Sequence, residues 1–362
     1  MAFRKRKQLI QQIQNLRGSK VITLVNSDRP CDGPPPLGIT TGIESEAQIF
    51  LYDHLLAMGQ VNNLDLFLYT RGGETDAVWP LVNMLRERCK KLSVLVPFRA
   101  HSAGTMICLG ANEVVLGELA GLSPIDPTTG NQFNPRDEVD KRTILGISVE
   151  DVTSYMNLAR DQKKVGLKNP SHILEVFQTL SEKVHPLALG NVNRVHTRIR
   201  ALGLKLLALH IDVKKERKKV DEVIDTLTER LYAHTHYIGR EEAIQVLDIG
   251  GFVKYASPDE QNVMWELFEE YATFFDLRKR FSLNSYMVGQ QERELIARGG
   301  VIESENMSHL YLTKTKITKM ATTFPGMPAQ AQPGAGPPIA GLPGQYLFEV
   351  ANRGWERNSR GI

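Results

Sequence analysis

Two kinds of hydrophobic pattern alternate along the first third of the chain. Short, uninterrupted apolar runs are typical of buried strands, and they lie at residues 20–25, 64–69, 93–97 and 113–116. Segments in which apolar residues recur every three or four positions are typical of helices, and they lie at 44–58, 75–91 and 103–111. This alternation predicts an α/β domain with a largely parallel sheet.

The pattern changes near residue 149, where helical periodicity takes over. Helices are predicted at 149–160, with Ser148 as the N-cap, and at 173–184, 191–210, 213–233 and 258–280. Alternating residues at 300–318 predict a hairpin. We therefore expect a basic N-terminal helix at 1–19, an α/β domain at 20–255, a helical and hairpin extension at 256–320, and a Pro/Gly/Ala-rich linker and tail at 321–362.

The composition argues against several classes of protein. A net charge of +3 over 362 residues is too small to indicate a nucleic-acid partner. Three cysteines without metal-ligand spacing indicate a reducing compartment, and Cys89 is predicted to pack within a helix. No run approaches the roughly 20 apolar residues of a membrane helix. We therefore predict a soluble cytoplasmic protein with no integral membrane segment, no nucleic acid, no metal and no cofactor.

Two predicted strand-to-helix turns carry the candidate chemistry. Gly72-Gly73 follows the second apolar run, and Ser102-Ala103-Gly104 follows the third. Ligands of parallel sheets lie beyond the carboxyl ends of the strands, so both turns belong to one edge. A serine is a nucleophile when a base takes its proton and N–H groups receive the oxyanion. The pattern thus allows Ser102 as nucleophile with the N–H groups of Gly73 and Ala103 as oxyanion hole, and it equally allows a plain helix cap beside a tight turn.

Three segments around these turns resemble the serine dehydrogenase proteinase family. They are Thr-Arg-Gly-Gly-Glu-Thr at 70–75, Val-Pro-Phe-Arg-Ala-His-Ser-Ala-Gly-Thr at 96–105, and Gly-Leu-Ser-Pro-Ile-Asp-Pro at 121–127. That family is a branch of the Clp-protease and crotonase superfamily and is related to signal peptide peptidase A. The resemblance extends over roughly residues 20–255, including 184–190 and 236–243.

The resemblance implies a crotonase/Clp-protease-like ββα-repeat core with a helical C-terminal extension. It also implies a serine peptidase with Ser102 as nucleophile, an oxyanion hole formed by Gly73 and Ala103, and a homo-oligomer built on trimers. Gly72 and Asp126 are assigned to substrate binding, and the proline-flanked Asp126 also orders its loop. The expected substrate is a peptide or an unfolded protein segment, cleaved without ATP.

The base that would activate Ser102 is expected farther along the chain. The Clp proteolytic subunit has a histidine on the strand after the nucleophile helix, but residues 116–127 contain none. Signal peptide peptidases use a downstream lysine, and here Lys141 is preferred, with Lys163 and Lys164 as alternatives. A lysine base must lose its proton, which burial favours and which the acidic residues close to Lys141 oppose. His101 adjoins Ser102 in sequence and is expected to project away from it.

Two other functions compete with a Ser/Lys peptidase. A crotonase-type acyl-CoA enzyme shares the paired N–H groups, but such enzymes mostly use carboxylates and need no serine at this turn. A non-catalytic oligomeric scaffold of the same fold needs neither a nucleophile nor a base.

Overall fold

The computed structural model describes residues 2–32, 37–125, 128–138, 141, 143–231, 233–320 and 346–358. The chain forms two compact units, one made of residues 1–121 and 251–362 and the other of residues 122–250. Each unit is built around its own secondary-structure elements.

The elements up to residue 122 follow the predicted alternation of strands and helices. They are α1 (Ala2–Arg17), β1 (Lys20–Asn26), α2 (Ala47–Met58), β2 (Val61–Tyr69), α3 (Thr75–Arg86), β3 (Cys89–Val96), β4 (Arg99–Ala100), α4 (Ala103–Leu109), β5 (Glu113–Leu116) and β6 (Gly121–Leu122).

The second unit is mainly helical. Its elements are β7 (Thr128–Thr129), β8 (Ile147–Ser148), α5 (Val149–Arg160), α6 (Pro170–Lys183), α7 (Pro186–Leu207), α8 (Arg217–Asp225), a π-helical turn (Thr226–Arg230), β9 (Ile238–Gly239) and α9 (Arg240–Leu247). The predicted cap of α5 is present, because the Ser148 side chain accepts the N–H of Asp151 at 2.9 Å. Residues of β8, α5 and α7 form a small core around Val149 and Val192.

The chain then returns to the first unit. The remaining elements are β10 (Val253–Tyr255), α10 (Pro258–Phe274), α11 (Leu283–Tyr286), β11 (Glu292–Ser304), β12 (Met307–Lys319) and β13 (Tyr346–Arg357).

Eight strands of the described residues form the main sheet of the first unit, in the order β10-β5-β3-β2-β1-β11-β12-β13. Strands β1, β2, β3 and β5 are parallel, as predicted, and β10, which was not predicted, extends the parallel part. Strands β11, β12 and β13 continue the sheet in antiparallel fashion. Val21 and Val25 of β1 pack on a core cluster with residues of α1 and α10. Because strand residues alternate between faces, Ile22 and Leu24, which are also buried, point to the opposite side. The mixed α/β architecture agrees with the Clp-protease-like class predicted above.

Two sequence-based expectations need correction. The predicted helix at 75–91 ends at Arg86, and Cys89 starts β3 instead of packing within a helix. The Arg88 carbonyl accepts the N–H of Val61 at 2.9 Å, so the residues before β3 already pair with the start of β2. The helix predicted at 213–233 is likewise shorter, because α8 ends at Asp225 and a π-helical turn follows.

The described helices include none that is both long and apolar enough to cross a membrane. None of Cys31, Cys89 and Cys108, all of them among the described residues, forms a disulfide bond. Residues 321–345, which contain most of the predicted linker, lie outside the described residues.

A buried ion-pair network joins α1 to the sheet. Arg17, whose side chain is only 9% exposed, donates to Asp65 and Glu113 at 2.6 Å each and also contacts Glu260 of α10. Glu113 is additionally paired with Lys91 and Lys254. Although burial opposes ionisation, hydrogen bonds from these cations lower the pKa of Glu113 to about 2. Arg17 is therefore the common partner of three carboxylates on separate elements.

We expect Arg17→Ala to destabilise the protein by about 3–5 kcal/mol, because it takes the cation from the buried Asp65 carboxylate, which is 1% exposed, and one of the cations from Glu113. Urea denaturation followed by circular dichroism measures this as a lower unfolding midpoint. Lys5→Ala is the control on the same helix, since the Lys5–Glu270 pair is 60% exposed on the lysine side and should leave the midpoint unchanged. Equal midpoints for the two variants would contradict the role given to Arg17.

Candidate active site

The turn after β3 holds Ser102 in an unusual backbone conformation. Ser102 immediately precedes α4 and has φ 50° and ψ −111°. A positive φ in a residue other than glycine costs about 1–3 kcal/mol and is concentrated at functional sites. The turn is kept in place by hydrogen bonds from the His101 N–H to the Thr70 carbonyl at 3.1 Å and from the Met106 N–H to the Ser102 carbonyl at 3.0 Å. Ser102 is half-buried, while every residue of α4 is buried.

The turn after β2 requires glycine at two successive positions. Gly72 and Gly73 have φ values of 116° and 147°. The Ile43 N–H donates to the Gly72 carbonyl at 2.7 Å, and the Glu74 N–H donates to the Ile43 carbonyl at 2.8 Å. This parallel bridge turns the N–H of Gly73 itself away from Ile43. A Cβ atom on Gly73 would lie 2.1 Å from the Ile43 oxygen, so no other residue fits without a shift of backbone.

The two turns lie in contact with each other. A Cβ atom on Gly72 would lie 2.9 Å from Cβ and 3.4 Å from Oγ of Ser102. Thr70 and Ala100, which flank the turns, form a parallel bridge. Ala103 follows Ser102 as the first residue of α4, where a helix offers its N–H no acceptor of its own. Ser102, Ala103 and the glycine turn are therefore brought together at the carboxyl edge of the sheet, and their chemical roles stay a prediction.

A buried carboxylate connects the two turns, and the sequence pattern did not identify it. Asp28, which is 6% exposed, accepts hydrogen bonds from Tyr69 Oη at 2.5 Å, Arg71 Nε at 2.9 Å and Arg99 Nη1 at 2.6 Å. Burial alone would raise the pKa of Asp28, but these three donors lower it. The same burial, together with the charge of Asp28, raises the pKa of Tyr69. We call Asp28, Tyr69, Arg71 and Arg99 the Asp28 cluster.

The three candidate lysines lie in the second unit. Lys141 is exposed in the loop before β8, where its carbonyl accepts a hydrogen bond from Arg136 at 2.9 Å. Lys163 and Lys164 are exposed in the turn after α5, and Lys164 lies 3.8 Å from the Asp161 carboxylate. Asp126 lies outside the described residues.

Residues 1–140 match the family of ClpP-like SDH-type serine proteinases. This match confirms the resemblance inferred from the residues around the two turns, and it covers both turns.

Two curated relatives are uncharacterized proteins of Methanocaldococcus jannaschii. One is 29% identical over 132 residues, which are 36% of this chain and 45% of the relative. The other is 30% identical over 128 residues, which are 35% of this chain and 43% of the relative. The chain thus spans less than half the length of these relatives.

A solved structure, that of a mutant of the membrane-bound stomatin-specific protease 1510-N, aligns with 70% of this chain and 85% of that one at 14% identity and a TM-score of 0.33.

Proposed function

We propose, from the match of residues 1–140 to the ClpP-like SDH-type serine proteinases, that this protein is a serine peptidase with Ser102 as its nucleophile. The observation that carries the proposal is the positive φ of Ser102 in a turn packed against Gly72. Strained turns of this kind between a strand and a helix expose a nucleophilic side chain. A scaffold that served only oligomerisation would gain nothing from this strain.

The proposed reaction proceeds through an acyl-enzyme. Ser102 Oγ attacks the peptide carbonyl while its proton passes to a lysine, and the N–H groups of Gly73 and Ala103 bind the resulting oxyanion. Collapse of this intermediate breaks the C–N bond, and the lysine returns the proton to the leaving amine. Water then hydrolyses the ester by the same steps. Lys141 is the proposed base, and Lys163 and Lys164 are the alternatives.

The proposal also extends to the substrate, the oligomeric state and the cellular compartment of the protein. We propose that Gly72 and Asp126 contact the substrate, which is a peptide or an unfolded segment, and that cleavage needs no ATP. We also propose a homo-oligomer built on trimers and a reducing cytoplasmic environment. The two glycines support the first assignment, since a backbone without side chains lets a substrate approach closely.

A fluorophosphonate probe tests the nucleophile directly. We expect covalent labelling of the folded protein at Ser102, located by mass spectrometry of the tryptic peptide, and no labelling of Ser102→Ala. Ser285→Ala is the control, because Ser285 is an exposed serine of α11 in the same unit, and its loss should leave labelling intact. Absence of labelling in the native protein, or labelling that persists in Ser102→Ala, would refute the proposed function.

A further inference from the structure

The Asp28 cluster links the ends of three neighbouring strands. Asp28 lies just beyond β1, Tyr69 is the last residue of β2, and Arg99 lies beyond β3. Arg71 belongs to the glycine turn itself and immediately precedes Gly72. One carboxylate therefore contacts both turns of the candidate active site.

Each donor of the Asp28 cluster contacts one particular oxygen atom of the carboxylate. Arg71 Nε and Arg99 Nη1 both donate to the Oδ2 atom of Asp28, while Tyr69 donates to Oδ1. The Arg99 guanidinium also lies 4.2 Å above the ring of Phe98, which stacks on Tyr69 at 5.9 Å. Without the carboxylate, two like charges would face the same position and repel each other. The carboxylate thus fixes the separation of Arg71 and Arg99.

Backbone contacts already hold the residues around the turns. Thr70 pairs with Ala100, and Ile43 pairs with Gly73. Because these bridges remain when a side chain at position 28 changes, loss of the carboxylate is expected to shift the turns relative to each other and not to unfold them. Displacing reacting groups by about 1 Å costs on the order of 100-fold in rate.

We propose that Asp28 is a positioning residue that sets the distance between the Gly72-Gly73 turn and Ser102. This inference rests on the proposed function, since the distance matters because Ser102 attacks a carbonyl whose oxygen the glycine turn binds. In this role Asp28 acts on the two turns through Arg71 and Arg99.

Asp28→Asn is the central variant, because it removes the charge and keeps the shape of the side chain. We expect its second-order rate of fluorophosphonate labelling to fall about 100-fold, with a similar loss in kcat for a peptide substrate and an unchanged KM. Asp32→Asn is the matched control: this carboxylate lies in the same loop but accepts the N–H of Leu283 at 2.8 Å, and its labelling rate should equal that of the wild type.

Arg71→Gln is a second variant that does not endanger folding, since the Arg71 side chain is 57% exposed. In this variant Arg99 and Tyr69 still donate hydrogen bonds to the Asp28 carboxylate, so we expect a smaller loss of about 10-fold in labelling rate. A merely structural role would instead lower the unfolding midpoint and leave the labelling rate of the folded fraction unchanged. That result, in either variant, would overturn the proposal.

Amide hydrogen exchange tests the positioning role of Asp28 independently of the proposed peptidase activity. In Asp28→Asn we expect faster exchange in peptides covering 70–75 and 99–104, with unchanged exchange in α1 and α10. If the wild type is not labelled at Ser102, the peptidase assignment fails, while exchange still decides whether Asp28 holds the turns. If the wild type is labelled and Asp28→Asn shows wild-type labelling and wild-type exchange, the positioning role fails and the peptidase assignment stands.

Discussion

Gly73→Ala is expected to reduce the rate of acylation by about 100- to 1,000-fold, which is the usual consequence of losing one donor of an oxyanion hole. Gly73 has φ 147°, and the added methyl group would lie 2.1 Å from the backbone oxygen of Ile43 and 2.4 Å from its nitrogen. Those atoms belong to the bridge that shapes the turn, so the turn must move, and the proposed oxyanion donor moves with it. Labelling rates and kcat for a peptide substrate measure the loss.

Gly190→Ala is the control for this substitution. Gly190 lies in α7, where an added Cβ atom would meet no atom within 4 Å. Alanine there should leave the labelling rate unchanged and stabilise the helix by about 0.5–1 kcal/mol. A Gly73→Ala variant that folds and acylates at the wild-type rate would exclude Gly73 from the oxyanion hole.

The two turns were predictable because each is marked by local sequence. An apolar run followed by Gly72-Gly73, or by Ser102-Ala103-Gly104, indicates a strand end and a helix start within a few residues. The parallel order of β1, β2 and β3 then places both turns at one edge without further information. The strain at Ser102 and its contact with Gly72 had no sequence signal, because they depend on how closely the two turns approach each other.

The Asp28 cluster was missed for a related reason. An acidic residue just beyond a buried strand is itself a signal, since such residues reach the ligand-binding edge of a parallel sheet. Its partners, however, lie 41 residues away at Tyr69 and 71 residues away at Arg99. No local sequence pattern distinguishes a buried aspartate with distant hydrogen-bond donors from an aspartate in a solvated loop.

In the C-terminal part of the chain, too, local elements could be predicted from the sequence but their long-range pairing could not. A hairpin was predicted at 300–318, and strands β11 and β12 form one that is longer at both ends. Periodicity gave no indication that β11 pairs with β1, because that pairing joins Thr23 to Glu303 across most of the chain. Arg17 and Glu260, which are 243 residues apart in sequence, illustrate why α1 and α10 could be predicted as helices but not as neighbours.

Substitutions of the proposed lysine base have the largest expected effects. We expect Lys141→Ala to reduce acylation by about 100- to 10,000-fold, the range that general acid–base catalysis supplies. Without a proton acceptor, the Ser102 hydroxyl is a poor nucleophile even when its oxyanion hole is complete. The second-order rate of fluorophosphonate labelling, compared between the variant and the wild type, measures the effect.

Lys163→Ala and Lys164→Ala are the matched controls, and both should label at the wild-type rate. Because a lysine acts as a base only when water is excluded from it, and Lys141 is exposed in the single chain, we expect labelling to increase with protein concentration as the oligomer forms. Full activity of Lys141→Ala, with loss of activity in either control, would transfer the role of base to that lysine. Full activity in all three variants would leave Ser102 without a lysine base and would restrict the proposal to the nucleophile and its oxyanion hole.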